Sequence, residues 1–373
     1  MSVAILGTRG IPARYGGFET FAEEIGVHLA QRGAEVTVYC EEFCNVPAAE
    51  SYKGVQLIYV SAPKLGPLST ILFDFNCLLA AKGKHDVVYM LGYGASLFCF
   101  LPRIWGKRVW INMDGIEWSR SKWSLPARIW LRVMEAVAMW TPNRIIADAL
   151  SIREDLSRRY RRMPACSVIP YGAPIIDQAD AALLADWGLS EDGYYLVVCR
   201  LEPENHVLEI LQGYAASRGA RPLVVVGDHT VGTRYARQLL EIKDPRIRLV
   251  GTVYDQSKLQ ALRFFARAYF HGHSVGGTNP SLLEALGCGN AVIAHDNPFN
   301  REVAGTAACY FNSALDIPDL VRRIEADATL RASMRVSARE IVSTRYTWEL
   351  VTESYIRLLA EDVRSKGRLS DRA

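Results

Sequence analysis

Three segments combine residue types and spacings suited to holding an anion. The first, Gly7-Thr8-Arg9-Gly10-Ile11-Pro12-Ala13-Arg14-Tyr15-Gly16-Gly17, links an apolar run to the start of a helical pattern. Glycines let backbone approach a ligand closely, free amides at a helix start attract negative charge, and Arg9 and Arg14 add cations. It is neither a GxGxxG nor a Walker loop, and a turn that merely needs glycine is the alternative. The second is Arg200-Leu201-Glu202-Pro203-Glu204-Asn205. An arginine ending a strand can pair with a diphosphate; the alternative is a surface arginine paired with Glu202 or Glu204, which stabilises little. The third runs from His271 to Gly289, with a glycine-rich turn before a short helix near Pro280 and Ser281. Proline suits a first helical turn and Ser281 is expected to cap it. The amides of Gly277, Thr278 and Asn279 are expected to be exposed. Glu284, one turn further, is placed to accept hydrogen bonds from sugar hydroxyls. This is a phosphate-and-ribose site in outline. His271 and His273 flank one glycine. They are expected to face opposite ways and to serve structure or hydrogen bonding, with no metal bound.

The elements that must position these segments alternate between strand and helix. Val3–Leu6 reads as a strand, and Phe18–Arg32 as a helix with Phe18, Phe21, Ala22, Ile25 and Leu29 on one face, stopped by Gly33. Further strands are expected at Glu35–Cys40, Val55–Val60, Val87–Leu91, Val109–Asn112, Arg144–Ala147 and Ser167–Pro170. The stretch Tyr171–Asp192 opens on glycine and proline and carries a short alanine-rich acidic helix. The pattern then restarts, with strands at Tyr195–Cys199, Pro222–Val226, Ile247–Val250, Ala268–Phe270 and Ala291–Ala294, an amphipathic helix at Trp348–Val363, and a frayed tail from Lys366. Such alternation implies two Rossmann-like α/β halves, each a parallel sheet covered by helices. Ligands then sit at the carboxyl ends of strands, facing across a cleft.

The 373 residues suit two domains. A net charge of +3 is too weak a bias to argue for nucleic acid, yet permits an anionic ligand or membrane surface. No signal peptide and no spanning helix is read, and the eight scattered cysteines fit free thiols in a reducing cytosol.

Taken in order, the three segments resemble glycosyltransferase family 4, of GT-B fold. Thr8–Glu19, Asn112–Trp123 and Gly272–Glu284 resemble a bacterial subgroup that includes rhamnosyltransferases of capsule, O-antigen and wall-polysaccharide assembly. The resemblance spans nearly the whole chain. It implies an acceptor-binding domain over residues 1–171, a nucleotide-sugar-binding domain over 172–346, and a final helix, 347–373, crossing back to the first domain. It places Gly16 and Gly17 near the donor diphosphate and the acceptor, Arg200 on the diphosphate, Glu284 on the donor ribose, and the backbone of Gly251, Thr252 and Val253 on the base. Reaction with retention and without a metal or other cofactor follows from it. Three positions depart from the family. Gly276 stands where a sugar-contacting glutamate belongs, Asn205 where a lysine belongs, and Met113 where a histidine belongs. A 6-deoxy L-sugar donor such as dTDP-L-rhamnose would explain the first; loss of activity is another explanation. Asp114 or Glu117 is expected to bind or deprotonate the acceptor hydroxyl, the alternatives being a helix cap and a solvated charge. Arg9, Arg14 and Tyr15 are expected on the acceptor side.

Residues Trp118–Trp140 hold four tryptophans among basic residues. From Pro126 onward, Arg128, Arg132 and Glu135 form a narrow polar stripe on an otherwise apolar helix, which is expected to be buried. The alternative is a helix lying in a membrane interface, with Arg120 and Lys122 meeting the diphosphate of a lipid-linked saccharide acceptor at the inner face of the cell membrane. Competing functions are a GT-B sugar-nucleotide epimerase and an inactive nucleotide-sugar-binding protein.

Overall fold

The computed structural model describes residues 1–13, 16–42, 49–63, 65–66, 68–113, 115–230 and 232–370, the last six without side chains. The chain divides into two compact units. Unit one takes in the chain to Ser119, Trp123–Tyr171 and everything from Trp348. Unit two takes in Gly172–Thr347 together with Arg120–Lys122.

In unit one the order is β1 (Ser2–Leu6), α1 (Gly17–Gln31), β2 (Glu35–Glu41), β3 (Ser51–Tyr52), β4 (Val55–Val60), α2 (Leu68–Ala80), β5 (Val87–Leu91), a 3-10 turn at Ser96–Phe100, α3 (Leu101–Ile104), β6 (Arg108–Met113), α4 (Leu125–Val137), β7 (Arg144–Ala147), α5 (Leu150–Arg159) and β8 (Ala165–Val168). Among the described residues these strands form one sheet in the order β3-β4-β2-β1-β5-β6-β7-β8, parallel except for β3. Val87–Leu91 is buried at every position, which is why its sequence is continuously apolar instead of alternating.

Unit two runs β9 (Tyr195–Val198), α6 (Val207–Ala216), β10 (Leu223–Val226), α7 (Arg234–Leu240), β11 (Ile247–Gly251), α8 (Gln256–Phe264), β12 (Ala268–His271), α9 (Pro280–Gly287), β13 (Val292–His295), α10 (Pro298–Ala304), β14 (Ala308–Phe311), α11 (Ile317–Ala326) and α12 (Ala328–Arg345). Its strands are all parallel, in the order β11-β10-β9-β12-β13-β14. The core gathers Val197, Ile210, Tyr214, Val225, Phe270 and Ile293 between sheet and helices.

The last helix, α13 (Trp348–Ser370), belongs to unit one. Its Tyr355 hydroxyl meets that of Tyr89 at 2.8 Å, and Asp362 accepts from the Trp110 indole at 2.7 Å. Arg144 on β7 pairs with Glu361 and Asp362 at 3.1 and 3.2 Å.

Four details differ from the sequence reading. The strand expected at Ser167–Pro170 lies two residues earlier, since Pro170 has no amide for a ladder. β3 and β14 were not anticipated: one is two residues long, and the other, Ala-Cys-Tyr-Phe, has no β-branched residue. The expected tail continues α13 to Ser370. Finally, α4 is not buried all round. Leu125, Ile129, Val133 and Trp140 are exposed, while Glu135 is fully buried. Glu135 turns inward because Arg159 ion-pairs with it, the Tyr160 hydroxyl donates to it at 2.7 Å and the Trp118 indole at 3.0 Å. Buried charge is tolerated when so paired.

Candidate active site

In each sheet the strand order reverses direction between two neighbours, β1 and β5 in unit one, β9 and β12 in unit two. The crevice at such a switch point, beyond the carboxyl ends of the strands, is where open α/β sheets bind ligands. All three anion-type segments follow one of these strands.

In unit one, Gly7 ends β1 with φ +81°, and a Cβ there would run into the Leu91 carbonyl oxygen at the end of β5. Glycine is thus required for the two strand ends to close. The amides expected to await an anion are already used. The Gly16 amide donates to Glu19 Oε2 at 3.2 Å, and the Ala13 amide donates to Glu23 Oε2 at 2.6 Å. This is the return arm of a capping box: the carboxylate three residues into the helix reaches back to the nearest donor. Arg9 is exposed, and nothing lies near the position a Gly17 Cβ would take. Arg14, Tyr15 and Asp114 lie outside the described residues. Glu117 is half-buried; its carboxylate accepts from the Trp123 indole at 3.0 Å and its amide donates to the Tyr93 hydroxyl at 2.9 Å. It is therefore held in place rather than freely solvated. Met113 is buried at the end of β6.

Unit two draws its loops together more tightly. A Cβ on Gly272 would collide with the Asn205 carbonyl oxygen, so the turns after β9 and β12 touch backbone to backbone. Asn205 is buried and bridges them: its Nδ2 donates to the Arg200 carbonyl at 2.7 Å, and its Oδ1 lies 2.8 Å from His273 Nδ1. With the amide oriented by the first bond, His273 carries its proton on Nδ1. Ser274 donates from its amide to the Glu204 carbonyl at 3.0 Å. Asn297 and Asn300 both donate to the His273 carbonyl, at 3.0 and 2.9 Å. His206 donates from Nδ1 to the Gly272 carbonyl at 2.9 Å and stacks on His295 at 4.1 Å. Asn205, expected beside the donor in place of a lysine, has its side chain committed to this bridge.

Burial holds His271, His273 and His295 neutral. It lowers His271 to about 3, helped by His295, and His295 to about 4, helped by His206. His273 is lowered by burial, then by His271 and by the positive charges of Arg120 and Arg200. Arg120 is buried, Lys122 is exposed, and Ser121 between them donates to Glu204 Oε2 at 2.7 Å. Glu204 is itself buried, and its Oε1 has no hydrogen-bond partner among the described residues. Arg200 is about half exposed and lies 3.6 Å from Glu202, a loose pair of the surface kind.

His271 and His273 do not face apart. Their ring centres are 6.2 Å from one another, because residues two apart in extended backbone share a face. Among the described residues no three His, Cys, Asp or Glu side chains gather as a metal site.

Gly276 has φ +118°, a backbone state open to glycine, and a Cβ there would press on His273 Nε2 at 3.3 Å. The family glutamate cannot be substituted at this position without moving the loop. Gly276, Gly277 and Thr278 are buried, so the expected exposed amides belong to residues with little open surface. Asn279, not Ser281, caps α9, accepting from the Ser281 amide at 3.0 Å. Ser281 instead bonds the Val198 carbonyl at 2.8 Å and the Tyr269 hydroxyl at 2.7 Å. Glu284 is held by buried Arg263, Nη2 to Oε2 at 2.5 Å, with about a third of its side chain open. Gly251 ends β11 with φ +77° and accepts from the Gly227 amide at 2.9 Å; Thr252 and Val253 beyond it are half-buried. Sequence reasoning did not find Arg263, His206 or the Asn297–Asn300 pair, and read Glu204 only as a surface partner of Arg200. All act through partners remote in the chain and leave no local pattern.

Residues 1–174 match a sequence family described as a domain of unknown function (DUF1972), and residues 215–357 match one described as glycosyl transferase-like. Among solved structures the chain is similar to sucrose-phosphate synthase from Thermosynechococcus elongatus, at TM-score 0.80 and 16% identity, over 96% of this chain and 98% of that one. It is similar to Anabaena HepE in complex with UDP-glucose, at TM-score 0.76 and 17% identity, over 97% and 100%. The α,α-trehalose 6-phosphate synthase from Burkholderia multivorans matches at TM-score 0.73 and 12% identity, over 100% and 98%. The chain therefore has the GT-B fold, two parallel-sheet α/β domains, and carries a glycosyltransferase-like domain in the second of them.

Proposed function

We propose that this protein is a retaining glycosyltransferase that moves L-rhamnose from dTDP-L-rhamnose onto a lipid-diphosphate-linked saccharide during bacterial surface polysaccharide synthesis, without a metal ion. The observation that carries this reading is the half-exposed Arg200 beside the Asn205–His273 bridge that ties the two loops at the β9/β12 switch point, in the unit that holds Arg263-bound Glu284.

Arg200 receives the donor diphosphate. Glu284, fixed by Arg263, accepts from the donor ribose, and the backbone of Gly251–Val253 holds the base. The bond from the anomeric carbon to the diphosphate breaks while the acceptor oxygen bonds to the same face of the sugar. The acceptor proton passes to the departing diphosphate oxygen. Arg200 and the amides of Gly277, Thr278 and Asn279 stabilise the charge that develops there, and fixed donors of this kind lower the barrier most where no metal ion takes part. Arg120 is assigned to the diphosphate of the acceptor, and Asn205 supplies no charge to the donor site. Asp114, Glu117, Arg9, Arg14, Tyr15, Gly16, Gly17 and Lys122 are assigned to the acceptor side. The left-handed Gly276 leaves no carboxylate for the donor sugar's hydroxyls, which supports a 6-deoxy sugar.

UDP-glucose is a second reading of the donor, because HepE is described in complex with it. Isothermal titration of dTDP-L-rhamnose against UDP-glucose separates the two. Tight binding of UDP-glucose alone overturns the rhamnose assignment. Conversion of a sugar nucleotide in the absence of any acceptor overturns transfer in favour of epimerisation.

A further inference from the structure

The outward face of unit one along α4 and α3 has the chemistry of a lipid-facing surface. On α4, Leu125, Ile129 and Val133 recur every fourth residue and are 69%, 56% and 49% exposed, with Trp140 beyond them at 63%. This orientation is specified. The helix has turned its one carboxylate, Glu135, inward to Arg159 and Tyr160, and left its apolar stripe outside. Beside it, the 3-10 turn and α3 expose Leu97, Phe100 and Ile104, the last at 70%. The two groups are joined. Arg103 on α3 donates to the Trp140 and Thr141 carbonyls at 3.1 and 3.0 Å, and Ser96 in the 3-10 turn donates to the Met134 carbonyl at 2.5 Å. β5, β6 and β7 are successive parallel neighbours, so right-handed crossovers put α3 and α4 on the same side of the sheet.

Charge follows the same pattern. From Gly92 to Met134 the residues of unit one include five arginines and lysines and two carboxylates, Asp114 and Glu117. Arg128 and Arg132 are exposed beside the apolar stripe, whereas Glu117 is half-buried. A large apolar patch rimmed by cations marks an interaction surface. A second copy of the chain would bring like charges together. No described helix is long and apolar enough to cross a membrane, so the contact would be made by lying on it.

We propose that α4 and the α3 corner together form a docking face for an anionic lipid bilayer, with Ile104, Ile129 and Val133 entering the interfacial zone and Arg128 and Arg132 meeting lipid phosphates. A lipid-carried acceptor requires such a surface, so the proposal shares that part of the functional reading. Donor titration does not involve lipid and separates failure of one from failure of the other.

The test is flotation of the full chain with phosphatidylglycerol vesicles and with phosphatidylcholine vesicles, plus sedimentation velocity without lipid. The expected result is binding to the anionic vesicles alone, weakened by salt. Removing charge as Arg128→Gln should weaken it roughly fivefold. Ile129→Glu with Val133→Glu should abolish it, and Ile104→Glu alone should weaken it at least about tenfold, with melting temperature and donor titration unchanged. If the wild-type chain ignores anionic vesicles, the proposal is wrong. A dimer that the Ile129→Glu and Val133→Glu pair dissolves, without vesicle binding, shows a second copy as the occupant and equally overturns it. If Ile104→Glu changes nothing, the joint face is refuted and α4 binds alone.

Discussion

The two switch points are built alike and bonded differently. Each closes on a glycine whose Cβ would strike a neighbouring carbonyl, Gly7 on Leu91 at the end of β5 and Gly272 on Asn205 in the turn after β9. In unit one the loop amides then give their hydrogen bonds to Glu19 and Glu23. In unit two the loops are tied by the side chains of Asn205, His206 and His273, with Arg200 about half exposed beside Glu202. The same architecture thus spends its loop amides on the helix's own carboxylates in one unit and ties two loops together through side chains in the other.

The largest expected effect comes from the shared device. Gly272→Ala should destabilise unit two by about 3 kcal/mol or more and abolish donor binding, because two backbones must separate. Gly17→Ala, with open space around it, should change stability by less than about 1 kcal/mol. Calorimetric melting of both variants checks this, and equal effects would break the comparison. Next, Arg200→Ala should lower donor affinity roughly 10- to 100-fold by titration, as loss of a charge-assisted bond does, while Arg9→Ala leaves it unchanged. An equal loss in Arg9→Ala would put the diphosphate in unit one instead.

The units should also respond to acid in opposite senses. Burial raises Asp74 in α2 from its usual 3.8 to about 7. Its neutral form is favoured by folding, so its contribution is complete below pH 3.8 and is lost as pH rises toward 7. His271 is lowered from 6.5 to about 3, so its contribution is complete above pH 6.5 and is lost as pH falls toward 3. Each slope is on the order of 1 kcal/mol per pH unit. Hydrogen exchange between pH 4 and 6.5 should show unit one gaining protection and unit two losing it as pH falls. Asp74→Asn should flatten the first trend, and parallel trends in both units would refute the assignment. The smallest effect is Glu19→Gln, which should weaken the start of α1 by about 0.5–1 kcal/mol without touching donor affinity.

Much of the architecture was legible because buried parallel strands are continuous apolar runs. Val87–Leu91 and Arg144–Ala147 stand in the structure with the bounds read from sequence. Ala308–Phe311 was not, since nothing in its four residues separates strand from loop. Local signals singled out Arg200, Gly276 and Glu284, and the structure sets all three in unit two. The sequence could not show that Asn205 is spent on His273, 68 residues away, or that Glu284 is held by Arg263. Helical periodicity located α4 but mistook its direction. A stripe containing Arg128, Arg132 and Glu135 reads as the wet side until Arg159, 24 residues on, is found waiting for Glu135.

The return of α13 to unit one also sets an order of events during synthesis. Unit two is complete in the chain once Thr347 has been made, whereas Trp110, Tyr89 and Arg144 of unit one still lack Asp362 and Tyr355. Unit one therefore closes only after every residue of unit two has been made. An expressed fragment ending at Tyr171 would expose the surface that α13 covers.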